Sequence, residues 1–154
     1  MTDIRIEAAD PQDAEARGLL DALSATLETI TGASGRASFD PEDVRGSGAC
    51  FLLARDAADQ AVGCGAYRPL TPGVAEIKRM YAAPGTRGVG AAVLAALEQR
   101  ARADGYGETR LETRRVNVRA VAFYDRSGYA PVAPWGPYVG RPDAVCFGKA
   151  LLHD

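Results

Sequence analysis

Histidine is almost absent: His153, at the end of the chain, is the only one in 154 residues. That scarcity leaves little room for a Ser-His-Asp triad, a Cys-His pair or a histidine-built zinc site, so Glu, Asp, Tyr, Cys and Lys must carry any protons. Lysine is nearly as rare, with Lys78 and Lys149 alone among 18 basic residues. The three cysteines, Cys50, Cys64 and Cys146, are odd in number, lack metal-ligand spacing and sit in apolar segments, which predicts buried strand thiols and no metal. No apolar run approaches the roughly 20 residues of a membrane helix, and the opening MTDIRIEAAD lacks the basic-then-apolar layout of a secretory leader. The expectation is a cytoplasmic chain with no membrane contact. Internal repeats and low-complexity tracts are missing too.

What is present suits one compact domain over residues 1–154, since 47% hydrophobic and 25% charged residues are ordinary globular values. The net charge of -2 hides an asymmetry. Residues 1–60 hold 12 acidic and 5 basic side chains, whereas residues 61–154 hold 8 acidic and 13 basic. The basic second part suits a phosphate-bearing ligand, but its charge is too dispersed for a nucleic-acid groove.

Periodicity and punctuation divide the chain into elements. Residues 4–8 predict a strand. Asp10 and Pro11 then supply a cap and a first turn for a helix whose Leu19, Leu20, Leu23, Leu27 and Ile30 recur at helical spacing, and Gly32 ends it. A helical turn is expected near residues 41–45, a hairpin over 50–55 and 61–68, and a strand over 74–82. A glycine loop leads into a helix over 91–103. Then come a strand over 109–114, a helix over 117–127 stopped by Gly128, a short strand over 129–132 and a last strand over 144–151. Hairpins before the crossover helix predict an α/β fold with a mixed, mostly antiparallel sheet flanked by helices, in the order βα(α)βββαβαβ.

The loop at Arg87, Gly88, Val89, Gly90, Ala91 and Ala92 sits where a strand feeds a helix. Small residues there let backbone N–H groups approach an anion at the positive end of the helix. No Lys-Ser/Thr pair follows, so it is not a P-loop; Val93 stands where a dinucleotide fingerprint has its third glycine. A close-packed helix start without a ligand would use the same residues.

Residues 76–92 and 117–129 together resemble the GNAT superfamily of acetyl-CoA-dependent N-acetyltransferases. The first segment matches that family's Arg/Gln-x-x-Gly-x-Gly/Ala loop at Arg87, Gly90 and Ala92. The second matches its Asn-led helix at Asn117, Ala120, Phe123, Tyr124, Gly128 and Tyr129. The resemblance covers about residues 50–150. It implies acetyl-CoA as cosubstrate, its pyrophosphate on the amides of Gly88 to Ala92 with Arg87 adding charge, and its pantetheine arm along Met80 and Ala82. It also implies the Met80 N–H as oxyanion donor, Tyr124 as the acid that protonates the thiolate, and Asn117 either on the pantetheine or merely capping its helix.

Strand alternation puts Glu76, Lys78 and Met80 on one face, which makes Glu76 the general-base candidate; pairing with an arginine is the other reading. Tyr124 could likewise be only a core aromatic. Trp135 and Tyr138 are expected to wall the acceptor pocket or to anchor their loop, and Arg79, Arg114, Arg115 and Arg141 to meet an acceptor carboxylate or to be solvated at the surface. The expected activity is direct acetyl transfer to a small-molecule primary amine. A CoA-binding regulatory module without turnover and a protein N-acetyltransferase remain alternatives, and a homodimer is left open.

Overall fold

The computed structural model describes residues 3–151, so His153 lies outside the described residues. The strands are β1 (Arg5–Ala8), β2 (Cys50–Arg55), β3 (Ala61–Thr71), β4 (Val74–Ala82), β5 (Glu108–Arg114), β6 (Ala130–Pro131) and β7 (Ala144–Ala150). The helices are α1 (Ala14–Thr31), α2 (Val89–Ala103) and α3 (Val118–Arg126). Among the described residues the strands form one sheet in the order β1-β2-β3-β4-β5-β7-β6. Only β4 and β5 are parallel, and α2 is the crossover between them.

Boundaries shift where local hydrogen bonds compete with the predicted caps. The first helix starts at Ala14 behind Asp13. Asp10 instead turns its carboxylate onto the Gln12 amide and onto Arg45. The second helix starts at Val89, two residues early, because Gly88 adopts φ 73° and forms the cap. Ile30, expected on the apolar face of α1, is exposed.

Helix α1 covers β3 and β4 on one face, burying Ala16, Leu19 and Leu20 against Phe51, Leu53, Cys64 and Ala66. The other face carries α2 and α3, with Val93, Leu94, Leu97 and Tyr124 packed on Leu52, Ile77, Leu111 and Phe147. On the α1 face the far strands are covered by residues 133–142, where Tyr138 and Trp135 pack on Ala144 and Cys146. All three cysteines are buried and free.

Two features place α2. Gly63 leaves room for the helix: a Cβ there would lie 2.4 Å from Val89 Cγ1 and 2.9 Å from the Tyr81 carbonyl oxygen. Further along, buried Glu98 accepts from Tyr129 Oη at 2.9 Å and pairs with Lys149 Nζ at 3.0 Å, fastening α2 to β7 and to the end of α3.

Gly63→Ala should therefore overpack the α2 contact and lower stability by about 1–3 kcal/mol, read from the urea midpoint at unchanged m. Alkali gives a second test. Burial pushes the Cys64 thiol up to about 12 from an ordinary value near 9. In that window the unfolded chain holds one proton fewer than the native one, so stability falls with rising pH, by about 1.4 kcal/mol per unit for this thiol. The slope of unfolding free energy between pH 9 and 10 should flatten by about that amount in Cys64→Ala.

Candidate active site

Strands β4 and β5 pair over three residues only, Val74 to Glu76 against Glu108 to Arg110, and then part. Strand β5 stays with β7 as far as Arg114, while β4 stays with β3. A cavity of about 480 Å³ fills the gap. Its walls come from both faces of the sheet: Gly90, Phe123 and Tyr124 from the α2–α3 side, and Leu27, Lys78 and Tyr138 from the α1 side. It therefore passes through the sheet where the strands separate.

A bulge shapes the β4 wall. Cys64 pairs with Tyr81 and Ala66 with Lys78, so Arg79 and Met80 together oppose Gly65. Arg79 has φ 57°, a left-handed conformation that costs a side-chain-bearing residue about 1 kcal/mol. The extra residue breaks the predicted alternation. Glu76 and Lys78 face α1, but the Met80 thioether faces α2, where a Cβ on Gly65 would meet Met80 Sδ, Val93 and Leu97. The backbone recovers its rhythm beyond the bulge. Ala83 N–H donates to the Val62 carbonyl at 2.8 Å, so by alternation the amides of Ala82 and Met80 point away from β3, into the gap.

Arg79, expected to meet an acceptor carboxylate, lines the cavity, but its guanidinium also has partners within the protein. It donates to the Ser24 hydroxyl and, at 3.2 Å, to the Ser34 carbonyl, and lies 5.4 Å from the centre of the Phe39 ring. These contacts hold the strained residue and tie β4 to α1 and the segment after it.

At the start of α2 the Ala92 amide is already spent, donating to the Gly88 carbonyl at 3.0 Å, which corrects its place in the expected cradle. Val89, Gly90 and Ala91 occupy the first turn, where N–H groups have no partner within the helix. The Val89 side chain is core, so only its backbone can serve a ligand. Gly88 and Arg87 are exposed beside this turn.

Helix α3 supplies the opposite wall. Asn117 caps it, accepting from the Ala120 amide at 3.3 Å, so one lone pair of its carboxamide oxygen is engaged and the other, with the NH₂, can still meet a ligand. Tyr124 is buried between Phe123, Tyr129 and Phe147, yet borders the cavity; burial pushes its phenol above the ordinary range.

On the α1 side Glu76 is 1% exposed and its Oε1 takes Arg68 Nη2 at 2.6 Å and Nε at 2.8 Å, the ion-pair reading of the two left open. Lys78 Nζ stands 3.8 Å from Oε2. Tyr138 borders the cavity, whereas Trp135 does not: it packs edge-on to Tyr138 at 5.6 Å and near Arg110, as a loop anchor. Sequence reasoning passed over Glu112, Leu27 and Ile30 as wall residues. The last two continue the apolar stripe of α1 beyond the core, a signal visible in their spacing. Glu112 gave none, because its alternating strand reads as a solvated edge.

Residues 17–129 match the acetyltransferase (GNAT) family. An IAA acetyltransferase of Azospirillum brasilense is 38% identical over 104 residues, covering 66% of this chain and 67% of that protein. Among solved structures, one from Klebsiella pneumoniae that carries the provisional name acyl-CoA N-acyltransferase is 33% identical, with a TM-score of 0.81 over 97% of this chain and 98% of that one. A GNAT acetyltransferase of Elizabethkingia anophelis with acetyl-CoA bound has a TM-score of 0.70 over 96% of this chain and 98% of that one. Its 14% identity makes this a likeness of fold alone.

The Arg68–Glu76 pair carries a stability prediction. Arg68→Ala strands a buried carboxylate and should cost about 3 kcal/mol, whereas the double variant Arg68→Ala/Glu76→Gln should regain part of the loss. Equal urea midpoints for single and double variants would show that the pair is not what holds Glu76.

Proposed function

The chain belongs to the GNAT acetyltransferase family, and on that premise we propose that it moves an acetyl group from acetyl-CoA directly to the primary amine of a small molecule. The observation that carries this reading is the gap between β4 and β5. It brings together the inward amides of Met80 and Ala82, the open first turn of α2 and the buried phenol of Tyr124, with access from both faces of the sheet.

The residues present suit the cosubstrate. The pantetheine amides can pair with Met80 and Ala82 as the missing neighbour of β4, and the pyrophosphate can sit on the amides of Val89, Gly90 and Ala91, with Arg87 close by. On this reading the thioester lies where the cavity passes between β4 and β5. The acceptor comes from the α1 side, between Leu27, Ile30 and Tyr138. One cavity of about 480 Å³ shared by both partners leaves room for a small acceptor.

The amine nitrogen attacks the thioester carbonyl carbon, the C–N bond forms and the C–S bond breaks. The Met80 N–H faces the carbonyl oxygen as it gains charge. The departing sulfur takes a proton from Tyr124, the nitrogen gives up its proton to water, and water restores the phenol. Burial keeps that phenol protonated, and the same burial raises the proton affinity of the thiolate beside it, so the transfer stays within reach. Arg79 acts at one remove, holding the bulge that aims the Met80 amide.

The test is thiol release from acetyl-CoA with a panel of small primary amines. Tyr124→Phe should lose about 10²-fold in turnover while acetyl-CoA still raises the melting temperature, because ring packing survives. Gly90→Asp should lose the melting shift itself. Near-normal turnover in Tyr124→Phe would make the tyrosine a core residue, and an enzyme that binds acetyl-CoA yet acetylates no amine would refute the reading.

A further inference from the structure

We propose that a second cleft, between α1 and the segment that follows it, binds a small dianion bearing phosphoryl or carboxylate oxygens, and that its occupancy is transmitted to Met80 through Arg79. The binding site stands by itself; the transmitted effect rests on the acetyl transfer described above. The cleft encloses about 680 Å³. Arg17, Asp21 and Ser24 of α1 wall it together with Arg36 and Phe39, whereas the later α1 residues Leu27 and Ile30 wall the active-site cavity. Among the described residues Arg79 alone borders both.

Arg79 is the anomaly that points to a ligand. Its guanidinium engages two uncharged oxygens, the Ser24 hydroxyl and the Ser34 carbonyl, and among the described residues no carboxylate comes within ion-pair reach of it. Its Nε is buried and has no hydrogen-bond partner. Burial works against the charge, and Arg36 works the same way. A cation so placed is ordinarily matched by an anion, because taking an unpaired charge out of water is costly. The backbone adds strain of its own at φ 57°. A strained, desolvated and unmatched cation beside an open cleft is stabilised when an anion enters.

The charges around the cleft set the class of ligand. Its charged lining consists of Arg17, Arg36, Arg79 and Asp21, a balance of +2. Arg17 is exposed and makes no ion pair among the described residues. The Arg36–Asp21 pair, at 3.2 Å with both side chains more than half exposed, is too solvated to fix Arg36 in place. Two guanidiniums at the rim can therefore turn onto a ligand whose other end lies at Arg79. Arginine forks match the paired oxygens of a phosphoryl or carboxylate group. A monoanion leaves one charge unmatched, and three arginines make too small a basic surface for a nucleic acid.

Arg79 is also one of the two bulge residues that oppose Gly65, and the next amide along the chain is that of Met80. A dianion competes with Ser24 and Ser34 for the donors of the guanidinium and so alters its hold on α1 and on the segment after it. The bulge, and with it the direction of the Met80 N–H, then differs between the empty and the occupied cleft. Two such arrangements, with different affinities for the dianion, are what an effector site requires.

The test measures melting temperature in inorganic phosphate and in succinate, against chloride at equal ionic strength, in mildly alkaline buffer where both probes are dianions. It uses wild type, Arg17→Gln/Arg36→Gln and Gly90→Asp. A probe at tenfold excess over its dissociation constant should raise the wild-type melting temperature by about 3–6 °C. The double variant should lose that rise, whereas Gly90→Asp, which blocks the first turn of α2, should keep it. A rise with phosphate alone identifies a phosphoryl ligand, with succinate alone a dicarboxylate, and with both shows that dianionic charge suffices. Turnover at saturating acetyl-CoA and amine is the second readout: the active probe should change wild-type kcat by about fivefold and leave the double variant unmoved. No rise with either probe, a rise kept by the double variant, or one lost in Gly90→Asp would overturn the site. A rise without a change in kcat would overturn the transmitted effect. A chain that acetylates no amine would fail the acetyl transfer, while the melting measurement reads the cleft regardless.

Discussion

Everything distinctive about this molecule depends on a hydrogen-bond ladder that stops after three residues. A parallel pair that continued would have satisfied the β4 and β5 backbones and sealed the sheet. The backbone of β4 beyond Glu76 instead turns donors and acceptors toward open space, and unmatched backbone groups are tolerated there only where water or a ligand can reach them. Each strand is kept from closing back on the other by its outer partner, β3 on one side and β7 on the other, with α2 wedged against Gly63 above the split. The gap is the place where the proposed cosubstrate would supply its own amides for the missing ladder.

The order of elements was legible because periodicity and punctuation are local. Hairpin, crossover helix and glycine loop each announced themselves within a dozen residues, and the two motifs at Arg87 to Ala92 and Asn117 to Tyr129 carried the family. What stayed hidden was non-local. The sequence alternates up to Lys78 and loses its alternation at Arg79, but nothing in it tells that Gly65 on the neighbouring strand faces two residues rather than one. That one extra residue sends Met80 to the opposite face from Glu76. The partner of Glu76, Arg68, lies across a hairpin, so the choice between base and ion pair depended on register. Ala92 and Asn117 were placed correctly in their helices, yet the first intrahelical bond and the cap consume groups that a motif alone leaves free.

Charge on the α1 face is layered by depth. The innermost carboxylate is matched by an arginine and neighboured by a lysine, while the carboxylate at the opening shares its cation with an aspartate nearer the surface. The same residue type is thus held in two ways, the inner anion, Glu76, with a cation at each of its oxygens and the outer one, Glu112, by a cation it shares. The buried Glu98, Tyr129 and Lys149 belong to the first kind, holding helix to sheet far from the opening.

Arg79 joins two things that the fold otherwise keeps apart. Its side chain grips α1 and the segment that follows, which on the proposed reading wall the acceptor side, and its backbone adjoins the Met80 amide proposed to face the carbonyl oxygen. Reshaping of α1 to admit a different acceptor is therefore mechanically felt at the reacting bond. In the history of such a scaffold, a new substrate and the aim of the oxyanion donor cannot drift independently; each change in the outer wall is screened, through one guanidinium, for its effect on the chemistry.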